Sequence, residues 1–424
     1  MTLDSKPGGS KPGGSPAPLM DRADERLKDQ SGLAGSVNAF IDRVRSGDLG
    51  SLPVIVGLIV ISAIFQYINP VFLSANNMVN LLFDCSTIGV ISLGIVCILM
   101  VGEIDLSVGS VSGLASALLG VLWVNSGWPV AGAILAALFT GAVIGSIYAF
   151  LFNRFGMPSF VSTLAGLLAV LGLQLYILGS TGSINLPYDS PLTNFGQILV
   201  MPDWLSYLLV ALIGASVLFT RMRNATRRQT AGLSASSTGA AVLQAAAITA
   251  LIGLVVIYLN QSRGIPWMFG LFVGLVVLMN YAFTRTQWGR AMTAVGGNRE
   301  AARRAGINVK RVYTTAFVLC ATLAAAGGVL AAARLAASSQ QAGTGDVNLN
   351  AIAAAVIGGT SLFGGRGSAY SALLGIIVIQ AIASGLTLLD LSSSLRYMIT
   401  GGVLAIAVIV DSLARRSRAS HGRA

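Results

Sequence analysis

The sequence predicts an all-α polytopic membrane protein of about twelve transmembrane helices, with both termini on the cytoplasmic side. Three observations carry this. Of the 424 residues 54% are hydrophobic and only 10% charged, whereas a soluble domain carries about 25% charged residues. The apolar residues also fall in unbroken blocks: 53–68 and 106–153 contain no charge. Blocks of about 20 residues are long enough to cross a bilayer as helices, and helices are required because lipid offers no partner to open backbone groups. Finally, the basic residues are placed lopsidedly along the blocks.

Twelve spans lie near 53–69, 78–101, 106–124, 129–152, 159–179, 204–220, 238–259, 265–284, 313–334, 349–364, 368–389 and 395–413. The span at 349–364 is short enough to re-enter rather than cross. With the N-terminus inside, all 27 Lys and Arg except Arg263, Arg334 and Arg396 fall on the cytoplasmic side. Basic residues favour cytoplasmic loops, so both termini are placed there. The net charge of +11 therefore marks topology and membrane lipid, not a nucleic-acid partner.

The domain organisation follows. Residues 1–50 form a cytoplasmic tail. Its stretch 5–18 is a low-complexity Pro/Gly/Ser run, and 20–44 carries a patchy apolar stripe suited to a helix on the membrane surface. It lacks the apolar core of a signal peptide. Residues 51–414 form the membrane domain, with a hairpin at 204–259 around a basic loop at 221–228 and a cytoplasmic segment at 285–312. Residues 415–424 are a basic cytoplasmic tail. Cys85, Cys97 and Cys320 fall in apolar spans without metal spacing, and the single histidine, His421, lies near the end. No metal site and no intramembrane catalytic histidine is expected.

Three segments carry chemistry. In 285–312, Asn298 can cap a short helix beginning at Arg299 or Glu300, Glu300 falls in the first turn, where the helix dipole favours an anion, and Gly306 ends the helix. Ala301, Ala302 and Ala305 leave a smooth face. Such a helix is a docking knob for another protein or an interfacial helix held by lipid phosphates. In 102–110, Glu103 and Asp105 lie beside apolar helices, which is costly and needs a reason. Either Asp105 or Ser107 caps the third span, or the carboxylates line a route or gate. In 358–368, five glycines among eleven residues break the helix, at about 1 kcal/mol each relative to Ala. Gly358, Gly359, Thr360 and Ser361 then line a cavity or form a tight turn. Asp84, near the outer end of span two, and Gln174, within span five, are further polar groups that either contact a solute or satisfy neighbouring helices.

The string Gly297, Asn298, Glu300, Ala301, Ala302, Gly306, Ile307 fits EAA-x-x-x-G and resembles the loop by which permeases of ATP-binding cassette (ABC) sugar importers engage their ATPase. The stretches at 104–110 (IDLSVGS), 358–368 (GGTSLFGGRGS), 73–82 and 158–166 resemble elements of the ribose/xylose/galactose permeases. Together they cover 53–413 in order, and the extra hairpin at 204–259 is most similar to the xylose branch. The resemblance implies a permease subunit in the bacterial cytoplasmic (inner) membrane that translocates a monosaccharide, with xylose first. It implies Glu103, Asp105, Ser107, Asn76, Asn80, Gln174, Gly358, Gly359, Thr360 and Ser361 as residues of the pathway or gate. The implied partners are a second permease copy, a cytoplasmic ATPase with two nucleotide-binding domains, and a periplasmic or lipid-anchored sugar-binding protein. The chain has no GxxxxGK[ST] motif, so it binds no cofactor itself, and ATP and Mg belong to the ATPase. It is not expected to be an enzyme. The alternative is a secondary, ion-coupled sugar transporter. That class would place charges deep in its helices, whereas here nearly every charge sits at a span end.

Overall fold

A computed structural model describes residues 52–233 and 238–392, with single positions beyond as far as Ile409. The tails at 1–50 and 415–424 and most of the span at 395–413 lie outside the described residues. The described positions between Ser394 and Ile409 are helical.

The chain runs α1 (Leu52–Ile68), α2 (Ala75–Met100), α3 (Val108–Gly120, continued by a π-helical turn Val121–Asn125), α4 (Val130–Phe155) and α5 (Ser159–Leu178). A short strand β1 (Ser183–Asn185) and α6 (Pro191–Gln197) lead to the long helices α7 (Asp203–Thr230) and α8 (Thr238–Asn260). Then follow α9 (Trp267–Arg285), α10 (Gln287–Gly297), α11 (Arg299–Arg304), α12 (Val309–Leu335), β2 (Ala337–Ser339), α13 (Val347–Ile357) and α14 (Ala369–Leu388). Among the described residues, nine helices are long and apolar enough to cross a membrane, and Pro53–Ile68 and Val347–Ile357 are shorter apolar helices.

Residues 207–254 form one compact unit, and the remaining described residues another. Inside the smaller unit Gly214 lets α7 approach Thr249 of α8. The basic stretch 221–228, expected as a loop, is instead the continuation of α7. Its residues are good helix formers with no proline and no glycine. The fall in hydropathy there marks where the apolar part of the helix ends, not where the helix ends.

In the larger unit α2 and α12 form the centre. Both are apolar all round, as a fully surrounded helix must be, and α2 is buried along nearly its whole length from Val79 to Met100. Small residues on α12 allow close approach. A side chain on Gly328 would overlap the backbone of Ser112 in α3.

The span expected at 349–364 is not one helix: the short apolar helix α13 is followed by the turn at 358–368 and preceded by non-helical chain. After α12 the chain turns through Ala336 and forms β2, which pairs antiparallel with β1. It continues without helix to Asp346, and only then winds the 11-residue α13. Non-helical backbone at such depth needs partners. The buried Gln174 side chain provides them, its amide donating to the carbonyls of Ser339 (3.1 Å) and Ala342 (2.9 Å). Ser338 Oγ donates to the Ser116 carbonyl at 2.6 Å, and the Gly109 amide donates to Asn348 Oδ1. The segment starts beside the C-terminal half of α3 and ends, past α13, against the loop before α3. It therefore traverses the bundle and does not return to its starting side.

Candidate functional site

The site is built around α11. The Asn298 side chain accepts from the Ala301 amide at 2.9 Å, which satisfies one of the open amides of a helix start. At the other end Gly306 has φ +83°. Its amide donates to the Arg303 carbonyl (3.0 Å), and the Ile307 amide donates to Ala302 (3.1 Å). This pair of bonds closes a helix C-terminus around a left-handed residue, and any side chain at that φ costs about 1–2 kcal/mol.

The outward face carries charge. Glu300 accepts from Arg303 (2.8 Å) and Arg304 (3.2 Å), all three well exposed. Arg303 first and then Arg304 hold its carboxyl below the usual carboxylate range. Such exposed pairs contribute little stability. The alanine face differs from expectation: Ala301 and Ala305 are exposed, but Ala302 is buried. At about 100° per residue, Ala301 and Ala305 fall on one side of the helix and Ala302 is turned away from them.

Three of the sequence strings meet behind α11. A side chain on Gly296 would overlap the Met100 carbonyl and the Gly365 amide. The Gly365 amide itself donates to Met100 (3.0 Å). A Cβ on Gly364 would lie 2.9 Å from Gly102. Gly358, Gly359, Thr360 and Ser361 belong to this junction. They turn the chain from α13 to α14, with the Thr360 amide donating to Ala355 and the Ser361 amide to Arg366, both at 3.0 Å. Thr360 and Ser361 are buried. In this turn Gly358 lies against the Ser371 backbone of α14, while Gly359 is exposed at φ +107° with open space beside it.

The α2–α3 loop is tied to α5. Its Ile104 and Leu106 amides donate to Ser159 Oγ (3.4 Å) and Thr163 Oγ1 (3.2 Å). Asp105 is fully buried. Its Oδ1 accepts from both the amide (2.8 Å) and the hydroxyl (2.7 Å) of Ser107. It therefore organises the start of α3, and Ser107 makes no cap bond of its own. Burial pushes the Asp105 carboxyl up, and the Ser107 bonds pull against it. Glu103 is likewise raised by burial, opposed by a hydrogen bond from Ser159 and by the charge of Arg299.

The remaining candidates do not join this cluster. Asn76 and Asn80 lie at the opposite end of α2. Asn76 is exposed, and Asn80 accepts from the Arg263 guanidinium. One turn further, Asp84 pairs with Arg334 at 2.8 Å. Gln174 lies between the ends; its amide nitrogen donates to the backbone of 339–342, while its buried Oε1 has no hydrogen-bond partner among the described residues.

A family model described as branched-chain amino acid transport system / permease component matches residues 77–408. The chain belongs to this permease family. It is 34% identical over 386 residues to the xylose transport system permease protein XylH of Escherichia coli K12, covering 91% of this chain and 97% of that one. It is 32% identical to XylH of Haemophilus influenzae, over 87% and 98% of the two chains. It is 27% identical to the ribose import permease protein RbsC of Escherichia coli K12, over 84% and 92%. No solved structure matches. These relatives are transport permease subunits, so the permease and transmembrane character read from sequence stands.

The permease holds groups at its site that sequence reasoning missed. The Arg299 guanidinium carbon lies 5.7 Å from the ring centre of Phe152 in α4 and 5.4 Å from that of Tyr313 in α12. The two rings are themselves 4.6 Å apart. At the far end Arg263 and Arg334 both lie over the Phe83 ring, at 5.8 and 5.0 Å. Arg299 stands inside the recognised string, but nothing local tells which way its side chain turns. Its aromatic partners sit far away in sequence.

Proposed function

We propose that the chain is the transmembrane subunit of an ABC importer that carries a monosaccharide, xylose first, across the bacterial cytoplasmic membrane. Helix α11 is the single observation that carries this reading. It is capped at both ends, projects an exposed charged face, and follows directly on α10, whose Gly296 meets the backbone of the bundle, which suits a helix that receives force from another protein. The absence of a phosphate-binding loop in the 424 residues agrees with hydrolysis of MgATP by a separate cytoplasmic ATPase with two nucleotide domains.

Both termini and α11 face the cytoplasm in this scheme, as the basic residues favour. A second copy of the chain completes the path, and a periplasmic or lipid-anchored protein delivers the sugar at the end bearing Asn76 and Asn80. ATP binding closes the ATPase domains, α11 moves with them, and the two permeases rock to pass the sugar inward. The XylH relatives are named for xylose and RbsC for ribose; the higher identity to XylH and the extra hairpin favour xylose.

Reconstitution with the cognate ATPase and binding protein tests the reading. ATP-dependent uptake of D-xylose is expected, with D-ribose the weaker substrate. Gly306→Pro and Glu300→Lys should insert normally and lose uptake. Wild-type uptake and wild-type ATPase co-purification in both variants would sink the docking assignment. Uptake abolished by an uncoupler at constant ATP would favour an ion-coupled carrier.

A further inference from the structure

We infer that Arg299 is a positioning residue that ties α11 to α4 and α12, so that displacement of α11 reaches the Met100–Gly102 corner and the 358–368 turn as one movement. This rests on the reading of α11 as the ATPase-docking helix and adds the path by which its movement enters the bundle.

The charged residues of α11 divide by direction. Glu300, Arg303 and Arg304 pair with one another on the exposed face. Arg299 instead turns to the bundle and lies over two rings that belong to different helices, Phe152 of α4 and Tyr313 of α12. A guanidinium is suited to this, being planar, always charged and able to stack on aromatic faces. Its charge also acts on half-buried Glu103 in the α2–α3 loop. One side chain thus engages α4 and α12.

The backbone just before α11 makes the connection stiff. Gly296 abuts the Met100 carbonyl and the Gly365 amide, and Gly364 abuts Gly102. Contacts between backbones with no side chain interposed leave no slack, and close-packed interiors transmit strain. A shift of α11 must therefore move the ends of α2 and α14 or break these contacts. The α2–α3 corner and the 358–368 glycines are accordingly parts of the transmission.

The test uses the full complex in proteoliposomes and reads ATP hydrolysed per pentose taken up, with D-xylose and D-ribose as probes. Arg299→Ala should keep the ATPase co-purifying but raise ATP spent per sugar at least tenfold. Arg299→Lys, which keeps the charge and loses the planar face, should fall between it and wild type. Phe152→Leu and Tyr313→Leu should shift the ratio in the same direction by less, and they carry the test where Arg299→Ala does not assemble. Tyr313→Phe, which keeps the ring, should match wild type. A wild-type ratio in Arg299→Ala, or in both leucine variants, overturns the inference, as does loss of ATPase binding in Arg299→Ala, which makes Arg299 part of the docking surface. A wild-type chain that binds no ATPase overturns the docking reading and this inference with it.

Discussion

The two ends of α2 are held by different physics. At Met100 the chain meets Gly102, Gly296, Gly364 and Gly365 backbone to backbone. At Asn80 and Asp84 it is held by long side chains, the Arg334 and Arg263 guanidiniums reaching over Phe83. The first kind of contact has a narrow range of geometries. The second tolerates movement, because rotamers can follow a displaced partner. In the scheme proposed above, the stiff end is the one at which force would enter and the compliant end the one at which the solute would enter.

The contrast can be broken by substitution. Gly296→Val forces a side chain into the Met100 carbonyl and should destabilise by about 3 kcal/mol, seen as a large drop in thermal unfolding temperature in detergent. Asp105→Ala removes both bonds from Ser107 and should cost about 2 kcal/mol, whereas Asp105→Asn keeps an acceptor and should stay close to wild type. Equal losses in the two variants would mean that the charge, and not the cap, matters.

At the compliant end Asp84→Asn should cost about 1 kcal/mol or less, because the Asp84 side chain is 47% exposed and such pairs are screened. The loss should shrink further in 1 M salt. A loss as large as that of Gly296→Val would erase the distinction between the ends.

The smallest effect concerns pH. Burial raises the Glu103 carboxyl above its unfolded value, so the folded state holds that proton more tightly than the unfolded one. The resulting stabilisation is present below the ordinary carboxylate range and is lost as pH rises through the raised value. Wild-type unfolding temperature should therefore climb as pH falls from 7 towards 5, and Glu103→Gln should flatten that climb. Asp105 is shifted in the same direction, so some slope should persist. An identical pH profile in Glu103→Gln would mean the carboxyl is not desolvated in solution.

Features governed by neighbours in sequence were legible. Asn298 and Gly306 bound α11 because caps act within three residues. Hydropathy located the long helices because span length is set by the bilayer. The continuation of α7 through Arg221 and Arg228 escaped because a helix outlasts its apolar stretch without leaving a hydropathy signal. The split of the span expected at 349–364 escaped because the path of 339–342 depends on Gln174, more than 160 residues earlier. Of the site, the residues were legible but their grouping was not. Gly102, Gly296 and Gly364 reveal their contact only once folded, as do the carbonyl partners of the Gln174 amide.

The carboxamide of Gln174 also divides the chain between Ala336 and Gly358 into two stretches of different character. Its amide holds the carbonyls of Ser339 and Ala342, and the Ala342 and Thr344 amides close turns onto Ser339 and Gln341. Helix α13 therefore starts from a pinned run of turns, and one side chain of α5 anchors the approach to a helix far away in sequence.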